Sequence, residues 1–103
     1  LTLIDEKDFN LKVGSMIKHR IAVDCYLQTG DAVAGEFIKK NMLKIIRDFI
    51  EHIQVERIQK ILEQTEFITK KNIDKCIEAA VGQREDDVKV RTMFINYKKE
   101  KGL

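Results

Sequence analysis

The sequence contains no proline and no tryptophan, and its five glycines are scattered singly along 103 residues. Without a glycine-rich run, it has no loop of the kind that cradles phosphate groups. The absence of proline, together with 44% apolar and 35% charged residues, favours helices over sheets. At this length the chain can bury about 60–65% of its unfolded surface, enough for one small domain without disulfide or metal support.

The chain also lacks a large excess of charge of one sign, a set of cysteines large enough for several disulfides, and long apolar runs. Its net charge is only +2, which argues against a nucleic-acid or anionic-lipid surface. The two cysteines, Cys25 and Cys76, lie among apolar residues, and we predict that both are reduced and buried. With no membrane span and no signal peptide in the sequence, we expect a cytoplasmic protein. The first residue, Leu1, is consistent with a processed protein or a piece of a longer one.

The most regular hydrophobic pattern lies between residues 31 and 53, DAVAGEFIKKNMLKIIRDFIEHI. Its apolar residues recur at helical spacing and form one stripe. They are Ile38, Met42, Ile45, Ile46, Phe49, Ile50 and Ile53. The spacing predicts a single amphipathic helix, although the polar run at residues 39–41 leaves a break into two helices open.

Before this stretch we predict a short lead, residues 1–14, and one helix over residues 16–28. Ser15 can serve as the N-cap of that helix, because its hydroxyl can accept a free backbone N–H. Gly30 suits the left-handed turn that commonly follows a helix. Asp31 is then expected to cap the next helix.

After this stretch the phase of the apolar pattern slips at Gln54, which predicts a tight turn followed by a new helix. An apolar loop at residues 67–68 must then pack beneath neighbouring structure. The next helix is predicted over residues 70–81, with Thr69 as its N-cap. A polar connector follows, and the last helix is expected to begin at Asp87.

The apolar positions repeat with a period of 31 to 32 residues. The matched pairs are Met42–Ile73, Ile45–Cys76, Ile46–Ile77, Ile58–Val90, Ile61–Met93 and Leu62–Phe94. A helix–turn–helix unit of about this length is typical of ankyrin-type repeats. We therefore predict an all-α fold of about five helices stacked as a short, α-solenoid-like helical repeat. A single domain, 1–103, would comprise a capping helix (15–30), a first unit (31–69) and a second unit (70–101).

Four stretches resemble the degenerate ankyrin-like helical segment at the C-terminus of many bacterial multidomain proteins. They are AVDCYLQTGDAV (22–33), FIKKNMLKIIRDFIE (37–51), FITKKNIDKCIEAA (67–80) and MFINYKKE (93–100). The threonine–proline–leucine–histidine turn of ankyrin repeats is absent. The resemblance implies a helical platform that binds protein partners, without catalytic residues, in proteins that often carry leucine-rich repeats upstream.

Two sets of polar residues have the residue types and spacings of a metal site or a catalytic triad. His52 and Glu56 are four positions apart, as two metal ligands on a helix would be, but zinc needs three or four ligands. Ser15, His19 and Asp24 supply the residue types of a catalytic triad, but helical spacing alone builds no oxyanion hole. We interpret His52 as a surface residue and Ser15 as a cap. The sequence therefore predicts no catalytic residue, no metal and no cofactor.

Three consecutive acids, Glu85, Asp86 and Asp87, form the densest run of carboxylates. They lack the ordered alternation of oxygen ligands in an EF-hand calcium loop. We interpret them as a connector whose last acid caps the final helix, since negative charge is favoured at a helix N-terminus.

The basic residues are interleaved with acids, so we interpret most of them as a solvated helix face. Those considered are Lys39, Lys40, Lys44, Arg47, Lys70 and Lys71. In ankyrin-like stacks the first helix of each pair lines the concave face, which makes Lys44, Arg47 and Lys75 candidates for contact with a protein partner. The leading function is a non-enzymatic interaction or structural module. The alternative, a nucleic-acid-binding helical domain, requires the basic residues to gather on one surface.

Overall fold

The computed structural model describes residues 14–103, which form six α-helices and no β-strand. The helices are α1 (Ser15–Thr29), α2 (Ala32–Lys40), α3 (Met42–Glu51), α4 (Val55–Gln64), α5 (Ile73–Ala79) and α6 (Glu85–Lys101). The all-α class is confirmed, but the number of helices is six rather than about five. The predicted lead, residues 1–14, lies outside the described residues except for Gly14.

The additional helix arises because the helix is interrupted at Asn41, so residues 31–53 form two helices, the alternative that the polar run at residues 39–41 left open. The Asn41 side-chain amide donates to the Phe37 carbonyl over 2.9 Å, alongside the Asn41 backbone N–H at 3.1 Å. Asparagine side chains compete for backbone partners in this way and favour helix ends. The Asn41 carbonyl then accepts from the Ile45 N–H at 2.8 Å and so begins α3.

The end of α3 forms the predicted tight turn at Gln54. The Gln54 N–H donates to the Phe49 carbonyl over 2.7 Å, and the Ile53 N–H donates to the Ile50 carbonyl over 3.2 Å. This is the Schellman pattern, whose left-handed position glycine normally occupies. Here Ile53 occupies it with φ of 56° and is 47% exposed. Assigning Ile53 to the buried stripe was therefore wrong, and its branched side chain strains this backbone conformation.

The N-terminal helices confirm two predicted caps and correct a third. Gly30 is left-handed with φ of 69°, and the Asp31 carboxylate accepts from the Ala34 N–H at 2.9 Å. Ser15 is not a cap, because Gly14 occupies the N-cap position of α1. The Ser15 hydroxyl instead donates to the Asp48 carboxylate at 3.1 Å.

Helix α5 is shorter than the predicted span of residues 70–81. Before it, the Thr69 N–H donates to the Asn72 side chain at 2.7 Å, and the Ile73 N–H donates to the Thr69 carbonyl at 2.9 Å. Thr69 thus begins a turn rather than the helix itself. Helix α6 begins two residues earlier than predicted, at Glu85.

The core lies where α3 meets its neighbours. Helix α3 packs on α1, α4 and α5, while α6 packs on α4 and α5, and α1 packs closely on α2. The stripe residues Ile45, Ile46 and Phe49 are completely buried. The predicted apolar loop also packs inward, since Ile68 is buried and Phe67 contacts the Tyr26 ring at a centroid distance of 4.9 Å.

Candidate functional site

The three predicted partner-contact residues lie on two helices that pack together. Lys44 and Arg47 are one turn apart on α3, and Lys75 is on α5. All three side chains are exposed, and within residues 14–103 none forms an ion pair or a hydrogen bond. Cations that form no ion pair with a neighbouring carboxylate are available to a negatively charged partner.

Arg47 lies close enough to α5 to act on the thiol of Cys76, the residue that follows Lys75. Burial raises the pKa of Cys76 to about 12, and the Arg47 charge has a smaller effect in the opposite direction. Cys25 and Cys76 are both buried and unpaired, as predicted. A thiol that stays protonated at neutral pH is a poor nucleophile, so the role of Cys76 is to pack in the core.

Beside these cations, Asp48 on α3 is the centre of a polar cluster that the sequence did not predict. Its Oδ2 atom lies 2.7 Å from Nδ1 of His19 and accepts from the Ser15 hydroxyl at 3.1 Å. Both partners are on α1, so the carboxylate joins α1 to α3. Only 9% of the His19 side chain and 11% of the Asp48 side chain are exposed.

The geometry around Asp48 is not that of a catalytic triad. The Ser15 hydroxyl donates to the carboxylate rather than to the His19 ring, so His19 is not placed as the general base of a Ser–His–Asp triad. Asp24, the acid in the spacing considered above, instead receives two hydrogen bonds from Arg57, at 2.9 and 2.7 Å. Burial, opposed by the Asp48 hydrogen bond, lowers the pKa of His19.

The other oxygen of Asp48 faces a second histidine. Nδ1 of His52 is 3.4 Å from Asp48 Oδ1 and donates to the Asp48 backbone carbonyl at 2.9 Å. Ligand atoms of Asp48, Glu51 and His52 lie within 4.8 Å of one another. The sequence analysis paired His52 with Glu56 and missed this set. The available signal was the i, i+3, i+4 spacing toward the end of α3, which puts three side chains on one face.

Among the three acids at residues 85–87, Asp87 has a structural role. Arg84 donates from Nε and Nη2 to the two Asp87 oxygens, each over 2.9 Å, and Asp87 also accepts the Arg84 backbone N–H at 3.2 Å. The Arg84 side chain reaches the Ile50 carbonyl at 3.0 Å, at the end of α3. The Asp87 carboxylate does bond a backbone N–H at the start of the helix, but its predicted position is wrong. Arg84 is the N-cap of α6, and the three acids form the first turn of the helix rather than a connector. Arg84 links the start of α6 to α3.

No protein-family model matches the chain, and comparisons with curated proteins and with solved structures found no match. The resemblance to ankyrin-like segments therefore stays a prediction. Among the helices of residues 14–103, none has both the length and the apolar content needed to cross a bilayer.

Proposed function

We propose that this protein is a non-enzymatic, cytoplasmic interaction module that binds an acidic segment of a partner protein through Lys44, Arg47 and Lys75. Its scaffold is a short ankyrin-like stack in which α3–α4 and α5–α6 are two related units. Helices α1 and α2 cover the first unit. Such a module forms the C-terminal part of a larger bacterial protein, as the sequence resemblance implies.

The packing of the helices supports the two-unit scaffold. The first helix of each pair packs on the other first helix, α3 on α5, and the second helices do the same, α4 on α6. Four of the six matched apolar pairs are buried in both members, among them Ile45 with Cys76 and Leu62 with Phe94. Repeat proteins bury their cores between neighbouring units in this way.

The observation that carries the binding proposal is the set of three exposed cations that form no ion pair or hydrogen bond with any of residues 14–103. Acids are also exposed nearby, with Glu51 on α3 and Glu78 on α5. A surface of mixed charge repels the uniformly negative backbone of a nucleic-acid duplex at some points. A peptide can place its carboxylates opposite the cations and neutral residues opposite the acids, which favours a protein partner.

The test is to titrate the ¹⁵N-labelled protein with an aspartate- and glutamate-rich peptide and, separately, with a DNA duplex, at physiological salt. We expect the peptide to shift the backbone signals of Lys44, Arg47 and Lys75. The charge reversals Lys44→Glu, Arg47→Glu and Lys75→Glu, made together, should abolish those shifts. Reversal of three exposed lysines elsewhere, at residues 60, 89 and 99, is the matched control and should preserve them. Tighter binding of the duplex, or equal loss in both triple variants, would overturn the proposal.

A further inference from the structure

From the cluster at the end of α3 we infer that Asp48, Glu51 and His52 bind a divalent transition-metal ion of the zinc type. Two carboxylates and one imidazole form a nitrogen and oxygen donor set that suits such ions. Three protein ligands leave a fourth position for water or for a group from a partner. This site lies beside Lys44 and Arg47 on α3 but uses different residues, and the inference does not depend on the proposed function.

The three residues are spaced closely enough for their ligand atoms to contact one ion. In a tetrahedral zinc site with bonds of about 2.1 Å, ligand atoms lie about 3.4 Å apart. One carboxylate oxygen each from Asp48 and Glu51 and one ring nitrogen of His52 already lie within 4.8 Å of one another. Glu51 and His52 are exposed, and the ring nitrogen nearest Asp48 Oδ1 is the hydrogen-bonded Nδ1. A turn of the His52 side chain is therefore needed to bring Nε2 toward Oδ1 and complete the site.

Two hydrogen-bonding groups from outside the cluster hold the Asp48 carboxylate in place. His19 and Ser15 both bind Oδ2, and this leaves Oδ1 turned toward His52. Metal-binding carboxylates are commonly oriented by hydrogen bonds of this kind, which fix the ligand before the ion arrives. Asp48 is also mostly buried, so its position is set by the packing of α1 on α3.

The His52 ring has the hydrogen bond expected of a metal ligand. Its Nδ1 donates to a backbone carbonyl, that of Asp48, which places the proton on Nδ1 and the lone pair on Nε2. Ligating histidines usually donate their other ring nitrogen to a carbonyl or a carboxylate. The carbonyl end of a helix also carries partial negative charge, which favours a cation.

Arg84 is the cation already present at this end of α3. Its guanidinium donates to the Ile50 and Glu51 backbone carbonyls at 3.0 and 3.4 Å, and the Glu51 carboxylate forms no hydrogen bond with residues 14–103. The positive charge of Arg84 is largely neutralised by its ion pair with Asp87 in the first turn of α6. The three side-chain ligands therefore remain available to a metal ion.

The experiment is isothermal titration of the metal-free protein with zinc chloride, repeated with calcium chloride. We expect one zinc ion per chain and no calcium binding, since calcium requires six to eight oxygen ligands. His52→Ala and Glu51→Gln should each weaken zinc binding at least tenfold. Glu78→Gln, which removes an exposed acid on α5, is the matched control and should leave it unchanged. Far-UV circular dichroism of each variant verifies that the helices are intact.

A second readout identifies the ligand. Zinc should shift the ring ¹⁵N signals of His52 more than those of His19, whose Nδ1 stays on Asp48. A zinc affinity of His52→Ala within twofold of that of the unchanged protein would overturn the proposed site. So would the absence of one-to-one binding, or ring shifts confined to His19.

Discussion

The pairs α3–α4 and α5–α6 place apolar residues at matching positions but are stabilised differently. In α3, Ile46 is completely buried, whereas its counterpart Ile77 in α5 is only partly buried. Helix α3 has ten residues and α5 has seven, too few to bury a comparable stripe. Both pairs have polar ties, since Asp48 and Arg57 join the first pair to α1, and the Tyr97 hydroxyl of the second donates to the Ile68 carbonyl at 3.0 Å. The comparison teaches that the two pairs differ in how deeply matched apolar residues are buried, with the centre of the core on α3.

The largest expected difference comes from placing a charge at the two matched isoleucines. Ile46→Asp should lower the free energy of unfolding by about 3–5 kcal/mol, because it buries an unpaired carboxylate in the centre of the core. Ile77→Asp should cost less than half as much, since water still reaches that position. Urea denaturation of both variants measures the difference. An equal decrease in the free energy of unfolding in both variants would mean that Ile46 and Ile77 are equally buried, contrary to this comparison.

A second test concerns the start of each pair's second helix. Bidentate hydrogen bonding from Arg84 holds the pKa of Asp87 below its ordinary value of 3.8. The folded state therefore favours the ionised carboxylate. The resulting stability is present above the unfolded pKa, near pH 3.8, and is lost as the pH falls through the lower folded value. The stability difference between the unchanged protein and Asp87→Asn should shrink below this pH.

Urea denaturation of both proteins between pH 2 and pH 6 measures that change. Glu56→Gln, at an exposed acid in the first turn of α4, is the control and should show a much weaker dependence on pH. A stability difference for Asp87→Asn that stays constant over this range would show that Arg84 does not favour the ionised form.

The smallest expected effect concerns how α3 and α5 end. Ile53→Gly should raise the free energy of unfolding by about 1 kcal/mol, because glycine adopts the left-handed conformation without the penalty of a branched side chain. Ala80, the C-cap of α5, has φ of −98°, so Ala80→Gly relieves no strain and should be destabilising. Thermal unfolding of both variants measures this. A loss of stability in Ile53→Gly would show that contacts of the Ile53 side chain outweigh its strain.

Apolar spacing predicted the all-α class, the buried face of α3 and the turn at Gln54, because these depend on neighbouring residues along one helix. The break at Asn41 depends on a hydrogen bond from the Asn41 side chain to the Phe37 carbonyl. The spacing of apolar residues carries no information about such a bond. The Asp48 cluster depends on α1 packing against α3. Ser15 and His19 lie 33 and 29 residues from Asp48, so their meeting is a result of tertiary structure.

The Arg84 link between α6 and α3 has a consequence for the order in which the chain can fold. It spans 34 residues to Ile50, and no side-chain hydrogen bond among residues 14–103 spans more. The Arg57–Asp24 and Tyr97–Ile68 bonds span 33 and 29 residues. Each bond requires closing a loop of only about one-third of the chain, and the entropy cost of closure grows slowly with loop length. Helices can thus be added to neighbours already in place, a topology associated with rapid folding.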